Sequence, residues 1–309
     1  MSRELVVLSP HFDDAALAVG ALVAARAAAG RRVRILTVYT AGPDTAGLTG
    51  RRRAFGDYAV RRAEDDRALA RLGAGGMRLG LRERLFRDPP LPRPVHIFRT
   101  PEDVRGLTEC DRIQREITRL LDESPRAQIL APLGIGNHHD HVEVAVAAMR
   151  AAATHPDRVL FYEDFNALSE LCRRHHPVSR TAPFPWQSAP AWASPRAGTG
   201  LEAMSFIPRG PSAPELAGLS PGRGGGSWCV QTLPVHTHEA VQLRAVAEYR
   251  SQLPLLGGPA AVAKFIRRAH RTRGGELLWH LSPARPARRV GRDEGFRRAQ
   301  GGHEVITCE

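Results

Sequence analysis

The chain has 309 residues, enough for one large domain with a sizeable core or one domain carrying long insertions. Hydrophobic residues make up 42% and charged residues 25%, ordinary for a soluble globular protein, and no apolar run reaches the roughly 20 residues that span a bilayer. The net charge is +12, but Lys264 is the only lysine, the arginines are scattered and no aromatic platform is interleaved with them, so the basic balance reads as GC-rich codon usage rather than nucleic-acid binding.

The opening apolar run stops at Pro10 and His11. It is too short for a signal-peptide core and no small-residue cleavage site follows, so the expected location is cytoplasmic. Residues 4–9 predict a buried strand, 14–29 an Ala-rich helix ended by Gly30, and 33–40 a second strand. A strand–helix–strand unit of this kind makes its two strands parallel, with a right-handed crossover. A polar loop over 41–56, a charged amphipathic helix over 58–72 stopped by Gly73, and a Pro-rich stretch over 89–94 come next. A helix over 109–124, a strand over 127–132, a helix over 141–153 and a strand over 158–162 continue the alternation. Residues 175–227 are rich in Pro, Ser, Gly and Ala and predict a long loop insertion. Helices over 237–252 and 258–270, a strand over 275–281 and a basic tail over 283–309 complete the chain. The pattern predicts a three-layer α/β/α fold with a mainly parallel, Rossmann-like sheet, in a single domain over 1–309 that carries the insertion and the tail. Cys110, Cys172, Cys229 and Cys308 are widely spaced and suggest neither a thiolate zinc site nor a disulfide framework.

Two clusters carry chemistry. Ser9-Pro10-His11-Phe12-Asp13-Asp14 lies where the first strand gives way to the first helix. Ligands bind outside the carboxyl ends of strands in open α/β sheets. A histidine and two carboxylates can supply two metal ligands and a free base there, although either aspartate would also serve as a plain helix cap. Gly136-Asn137-His138-His139-Asp140-His141 follows the strand at 127–132. Three histidines and an aspartate in four positions are hard to explain as packing, and both clusters fall at strand ends, so together they point to a metal site. Two histidines and one aspartate suit Zn²⁺ with open positions, and equally the facial triad of non-haem Fe²⁺.

His11-Phe12-Asp13-Asp14 resembles the His-Pro-Asp-Asp-Glu signature of the PIG-L/LmbE-like deacetylases, and His138-His139-Asp140-His141 resembles that family's His-x-Asp-His motif. Arg61-Arg62-Ala63-Glu64, Tyr162-Glu163-Asp164, Tyr249-Arg250-Ser251-Gln252 and Gly274-Gly275-Glu276 are similar to later family segments, so the resemblance covers about residues 4–165 and 237–282. It implies His11, Asp14 and His141 as ligands of a divalent metal, Zn²⁺ or alternatively Fe²⁺, with Asp13 as general base. It implies His138 as the group that stabilises the oxyanion or protonates the leaving amine. Asp140 would orient an imidazole and Arg61 would lie near the distal part of the substrate, while Glu163 and Asp164 read either as lying at a strand end in the same cleft or as only starting a turn. Phe12 replaces the usual Pro, a change expected to act on backbone rigidity, and Ala15 replaces the usual Glu, which is not one of the three ligands.

The implied activity is hydrolysis of an N-acetyl amide on an amino-sugar or glycoside-type small molecule, with neither nucleic acid nor membrane as partner. The GC-rich bias is compatible with a secondary-metabolite pathway such as antibiotic biosynthesis. Alternatives are an amidase for a larger acyl or thiol-conjugate amide, a metal-binding homologue without chemistry, and an Fe²⁺ oxygenase, a class usually built on a β-barrel. Arg61 and Glu64 also read as a surface ion pair at helical spacing. His175 and His176 read as a solvated loop or as the substrate mouth, and Trp186, Trp192 and Trp228 as a sugar platform or a small satellite core.

Overall fold

The structure, a computed structural model, describes residues 4–99, 101, 104–165, 176, 178, 227–235 and 237–282. Leu5–Ser9 (β1) is buried at every position, as a central strand of a parallel sheet must be. Helix Asp14–Ala28 (α1) crosses over to Val33–Ala41 (β2), which pairs with β1 in parallel. Helices Gly50–Gly56 (α2) and Tyr58–Leu72 (α3) lead to the strand Gly75–Arg82 (β3). Helix Cys110–Glu123 (α4), strand Gln128–Pro132 (β4), helix His139–Thr154 (α5) and strand Val159–Tyr162 (β5) follow. Ser227–Leu233 (β6), Glu239–Val246 (α6), Pro259–Arg273 (α7) and Glu276–Ser282 (β7) complete the described elements.

The seven strands form one sheet in the order β3-β2-β1-β4-β5-β7-β6. The first five are mutually parallel, while β7 is antiparallel to β5 and to β6. Alternate residues of β1 face opposite layers. Val6 and Leu8 join the core with α4 and α5, whereas Leu5 and Val7 join the core with α1, α3, α6 and α7. This is the expected three-layer α/β/α fold. The strand order reverses between β1 and β4, which makes the gap between their carboxyl ends the switch point where such sheets bind ligands.

The charged helix over 58–72 forms as expected. Asp57 accepts from Val60 N at 3.1 Å, and Gly73 ends the helix at φ 71°, a left-handed conformation that costs glycine little. Four expectations change. The polar loop over 41–56 contains α2, and the stretch after Gly73 is the edge strand β3, whose three glycines and half-exposed side chains hide any alternation. The helix expected from 237 ends at Val246, where the chain turns so that Tyr249 and Ser251 reach α3. β6 lies at the end of the expected insertion; its Trp228 packs edge-on to Phe161 at 5.2 Å, so this tryptophan belongs to the core. Cys110 and Cys229 are both buried in the core. Apart from His176 and Val178, the remaining insertion residues, with Trp186, Trp192 and His175, and the tail lie outside the described residues.

Helix α1 is broken at Val19, whose backbone (φ −137°, ψ 25°) leaves the helical region. A break frees carbonyls before it and N–H groups after it, and buried groups of that kind need partners. Gln242 Nε2 on α6 donates to Ala16 O at 3.0 Å and Leu17 O at 3.3 Å. The Glu276 carboxylate accepts from Ala21 N at 3.1 Å and Leu22 N at 2.7 Å. A Cβ on Gly20 would come within 2.7 Å of Gln242 Cγ, and one on Gly275 within 1.9 Å of Leu233 O, so both glycines are needed for this clasp to close. It seats the first turn of α1, and with it Asp13 and Asp14, against the end of the sheet.

Candidate metal centre

The chain turns from β1 into α1 around Ser9. Its hydroxyl donates to His11 O at 2.6 Å and accepts from Ala15 N at 3.0 Å. Ser9 therefore does the capping that Asp13 was equally suited to by sequence. Asp13 makes no side-chain capping hydrogen bond. Asp14 points inward, and its Oδ2 accepts from His11 N at 2.7 Å. From the other side, the loop after β4 is folded tightly, with Gly134, Gly136 and Asn137 at φ 77°, 98° and 58°. That compression starts α5 at His139 rather than 141. The first turn of a helix, not a loop, therefore presents Asp140 and His141 to the end of β1.

Three donor atoms converge. Asp14 Oδ2 lies 3.1 Å from His11 Nδ1 and 3.2 Å from His141 Nε2, and the two imidazole nitrogens are 3.3 Å apart. Ligands at about 2.0–2.1 Å from one tetrahedral ion lie about 3.3–3.4 Å from each other, so the triangle has the spacing that a divalent metal requires. The chemistry also fits. His11 Nε2 faces Asp140 Oδ2 at 3.2 Å, and His141 Nδ1 faces Asp164 Oδ1 at 2.6 Å. A carboxylate on the remote nitrogen fixes the tautomer that turns the near lone pair toward a metal. His138 offers a further nitrogen within 4.8 Å of those of His11 and His141, while its Nδ1 is buried without a hydrogen-bond partner among the described residues.

The electrostatics favour a cation at this point. Burial opposes charge on His141, yet Asp14 and Asp164 raise it to about 10. Burial likewise works against His11, which Glu83, Asp14 and Asp140 raise well above the usual range. Two imidazoles ringed by carboxylates attract a positive charge, whether protons or a metal ion. His138 behaves in the opposite way. Burial and its two imidazole neighbours hold it well below the usual range, which favours its neutral form. Burial and the Asp14 carboxylate push Asp13 up to about 6, against the pull of Arg61 and His11.

The structure brings His11, Asp13, Asp14, His138, Asp140 and His141 together and places Arg61 and Glu163 in buried ion pairs. Arg61 is only 3% exposed, bonded to Glu83 Oε1 at 2.6 Å and Phe55 O at 3.1 Å and lying over the rings of Phe12 and Tyr58. It does not form a surface pair with Glu64, which instead accepts from Ser251 N and Oγ at 2.9 and 2.6 Å. Glu163 accepts from Arg273 at 2.8 Å and from Trp279 Nε1 at 3.1 Å, and the carboxylate that serves the site from this strand end is its neighbour Asp164. Phe12 does more than adjust backbone rigidity: its buried ring lies under the guanidinium groups of Arg61 and Arg78. Ala15, where the family carries Glu, is buried at 2% in the α1 core. His176 holds the carbonyl of Leu133 at 3.1 Å and so braces the loop after β4. Reading the sequence missed Glu83, Arg87, Phe98 and Glu143; the first three lie in the patternless stretch after β3, and Phe98 meets the His138 ring edge-on at 5.4 Å.

Residues 6–152 match the family model described as PIG-L: GlcNAc-PI de-N-acetylase, which upholds the resemblance read from the two motifs. A comparison with curated proteins finds no match. Among solved structures, a deacetylase of the teicoplanin biosynthesis pathway is 20% identical, with a TM-score of 0.61 over 91% of this chain and 98% of that chain. The deacetylase of the A40926 pseudoaglycone is also 20% identical, with a TM-score of 0.57 over 93% of this chain and 100% of that chain. At these identities the two solved structures speak to the fold.

Proposed function

We propose that this chain, which residues 6–152 place in the PIG-L family, is a metal-dependent hydrolase that removes an N-acetyl group from an amino-sugar or glycoside-type small molecule. The observation that carries the reading is the convergence of His11 Nδ1, Asp14 Oδ2 and His141 Nε2 to within 3.3 Å, with Asp13 beside them and free of capping duty. A divalent ion held there, Zn²⁺ or Fe²⁺, would polarise the amide carbonyl and make a water acidic enough to be deprotonated near neutral pH.

The side chains divide the remaining work. Asp140 and Asp164 hold the two imidazoles with their near lone pairs turned to the same point. Asp13 takes the proton of the attacking water and passes it to the departing nitrogen, which leaves as an amine while acetate is released. Neutral His138 offers a ring N–H to the carbonyl oxygen as negative charge develops on it. Phe98 walls the same imidazole from the side and limits its rotation.

The test is acetate release from a panel of N-acetyl amino sugars and glycosides, with and without chelator, alongside metal analysis. We expect release that the chelator abolishes and that added divalent metal restores. A metal-replete chain that cleaves no amide in the panel, including longer acyl and thiol-conjugate amides, would overturn the hydrolase reading. Oxygen uptake without acetate would instead point to an oxygenase.

A further inference from the structure

We propose that Arg87, on the loop after β3 and outside both metal motifs, is a positioning residue. It locks Asp140 in the orientation that turns His11 Nδ1 toward Asp14 and His141. The inference rests on the metal-site reading above and extends it to a residue that makes no contact with the three converging atoms.

Asp140 and Glu143 stand one turn apart on α5, both wholly buried, and two like charges at that spacing repel. Arg87 spans them: one guanidinium nitrogen donates to Asp140 Oδ1 at 2.6 Å and the other to Glu143 Oε2 at 3.0 Å. The same group lies 5.4 Å over the Tyr39 ring, and the Tyr39 hydroxyl donates to Glu143 Oε2 at 2.7 Å. Glu143 Oε1 accepts from Glu109 N at 2.6 Å, which anchors the far end of the network to the start of α4. At the near end, Arg84 N adds hydrogen bonds to both Asp140 oxygens at 3.1 and 3.2 Å. With Oδ1 taken by Arg87, Oδ2 is the oxygen left for His11 Nε2 at 3.2 Å. Removing the guanidinium leaves two buried carboxylates without their shared countercharge, and Asp140, then held on that side by Arg84 N alone, fixes the imidazole tautomer less firmly.

The experiment is zinc affinity of the full chain, measured by competition with a chromophoric chelator. Arg87→Met should weaken zinc binding about 10–100-fold, the range for loss of a group that orients a metal ligand. Arg87→Lys keeps the charge and loses the two-pronged fork, so a loss of about tenfold is expected, and it carries the test if Arg87→Met does not fold. Arg158 is the control, since among the described residues its guanidinium bonds to main-chain carbonyls of Leu121, Ser124 and Ala127, away from the site. Arg158→Met should lower the melting temperature and leave zinc affinity at the wild-type value. An Arg87 variant that folds and binds zinc as tightly as wild type overturns the inference alone. A wild-type chain that binds neither zinc nor Fe²⁺ overturns the metal-site reading, and this inference with it.

Discussion

Asp13→Ala should retain the bound metal while turnover falls about 10²–10⁴-fold, the usual cost of removing a general base. The two neighbouring aspartates divide because β1 ends in a tight turn. Asp14 Oδ2 is committed to His11 N and to both converging imidazoles, whereas Asp13 caps nothing and its carboxyl is pushed up to about 6. Asp14→Ala should therefore do the reverse and strip the site of metal. The pair is read out as metal per chain and as acetate released per metal-loaded chain. If Asp13→Ala kept full turnover, the proton would have to go elsewhere and the assignment of the base would be wrong. If it lost the metal instead, the division between base and ligand would be wrong.

Much of this site can be read from sequence because its two halves are local. His11 to Asp14 and His138 to His141 each sit within one turn of chain, and strand-to-helix patterning places both at carboxyl ends of strands. What sequence cannot supply is register. Glu163 and Asp164 are adjacent at the end of β5, so their side chains point to opposite faces, and only the packed sheet shows that Asp164 meets His141 while Glu163 meets Arg273. Arg61 and Glu64 have the spacing of a surface ion pair, yet α3 buries both because Glu83 and Ser251 arrive from distant segments to receive them. Arg87 and Glu83 follow an edge strand with three glycines and lie in a stretch without periodicity, so nothing local marks them. The Tyr-x-Ser-Gln and Gly-Glu segments prove to be structural. Tyr249 and Ser251 hold Asp65 and Glu64 on α3, and Glu276 holds the broken α1.

The largest stability loss should fall on that last residue. Glu276→Ala leaves two buried N–H groups, those of Ala21 and Leu22, without acceptors. At about 1–3 kcal/mol for each unsatisfied donor, urea unfolding should show a loss of about 2–6 kcal/mol. Glu276→Gln keeps one acceptor oxygen and should recover part of it. A loss below about 1 kcal/mol would mean that α1 heals its own break. The clasp also carries a pH signature through His270 on α7, whose Nδ1 lies 2.9 Å from Glu239 Oε2 and whose Nε2 lies 3.7 Å from Glu276 Oε1. Burial alone would lower this imidazole, but Glu276 and Glu239 outweigh it and raise it above 6.5. A folded pKa above the unfolded one gives stability that is complete below about 6.5 and drains away as pH rises through the folded value. The stability gap between wild type and His270→Gln should therefore be widest near about pH 6 and narrow as the solution becomes alkaline. A gap that stays constant with pH would mean that His270 is neutral throughout and that the carboxylate of Glu276 holds the break unaided.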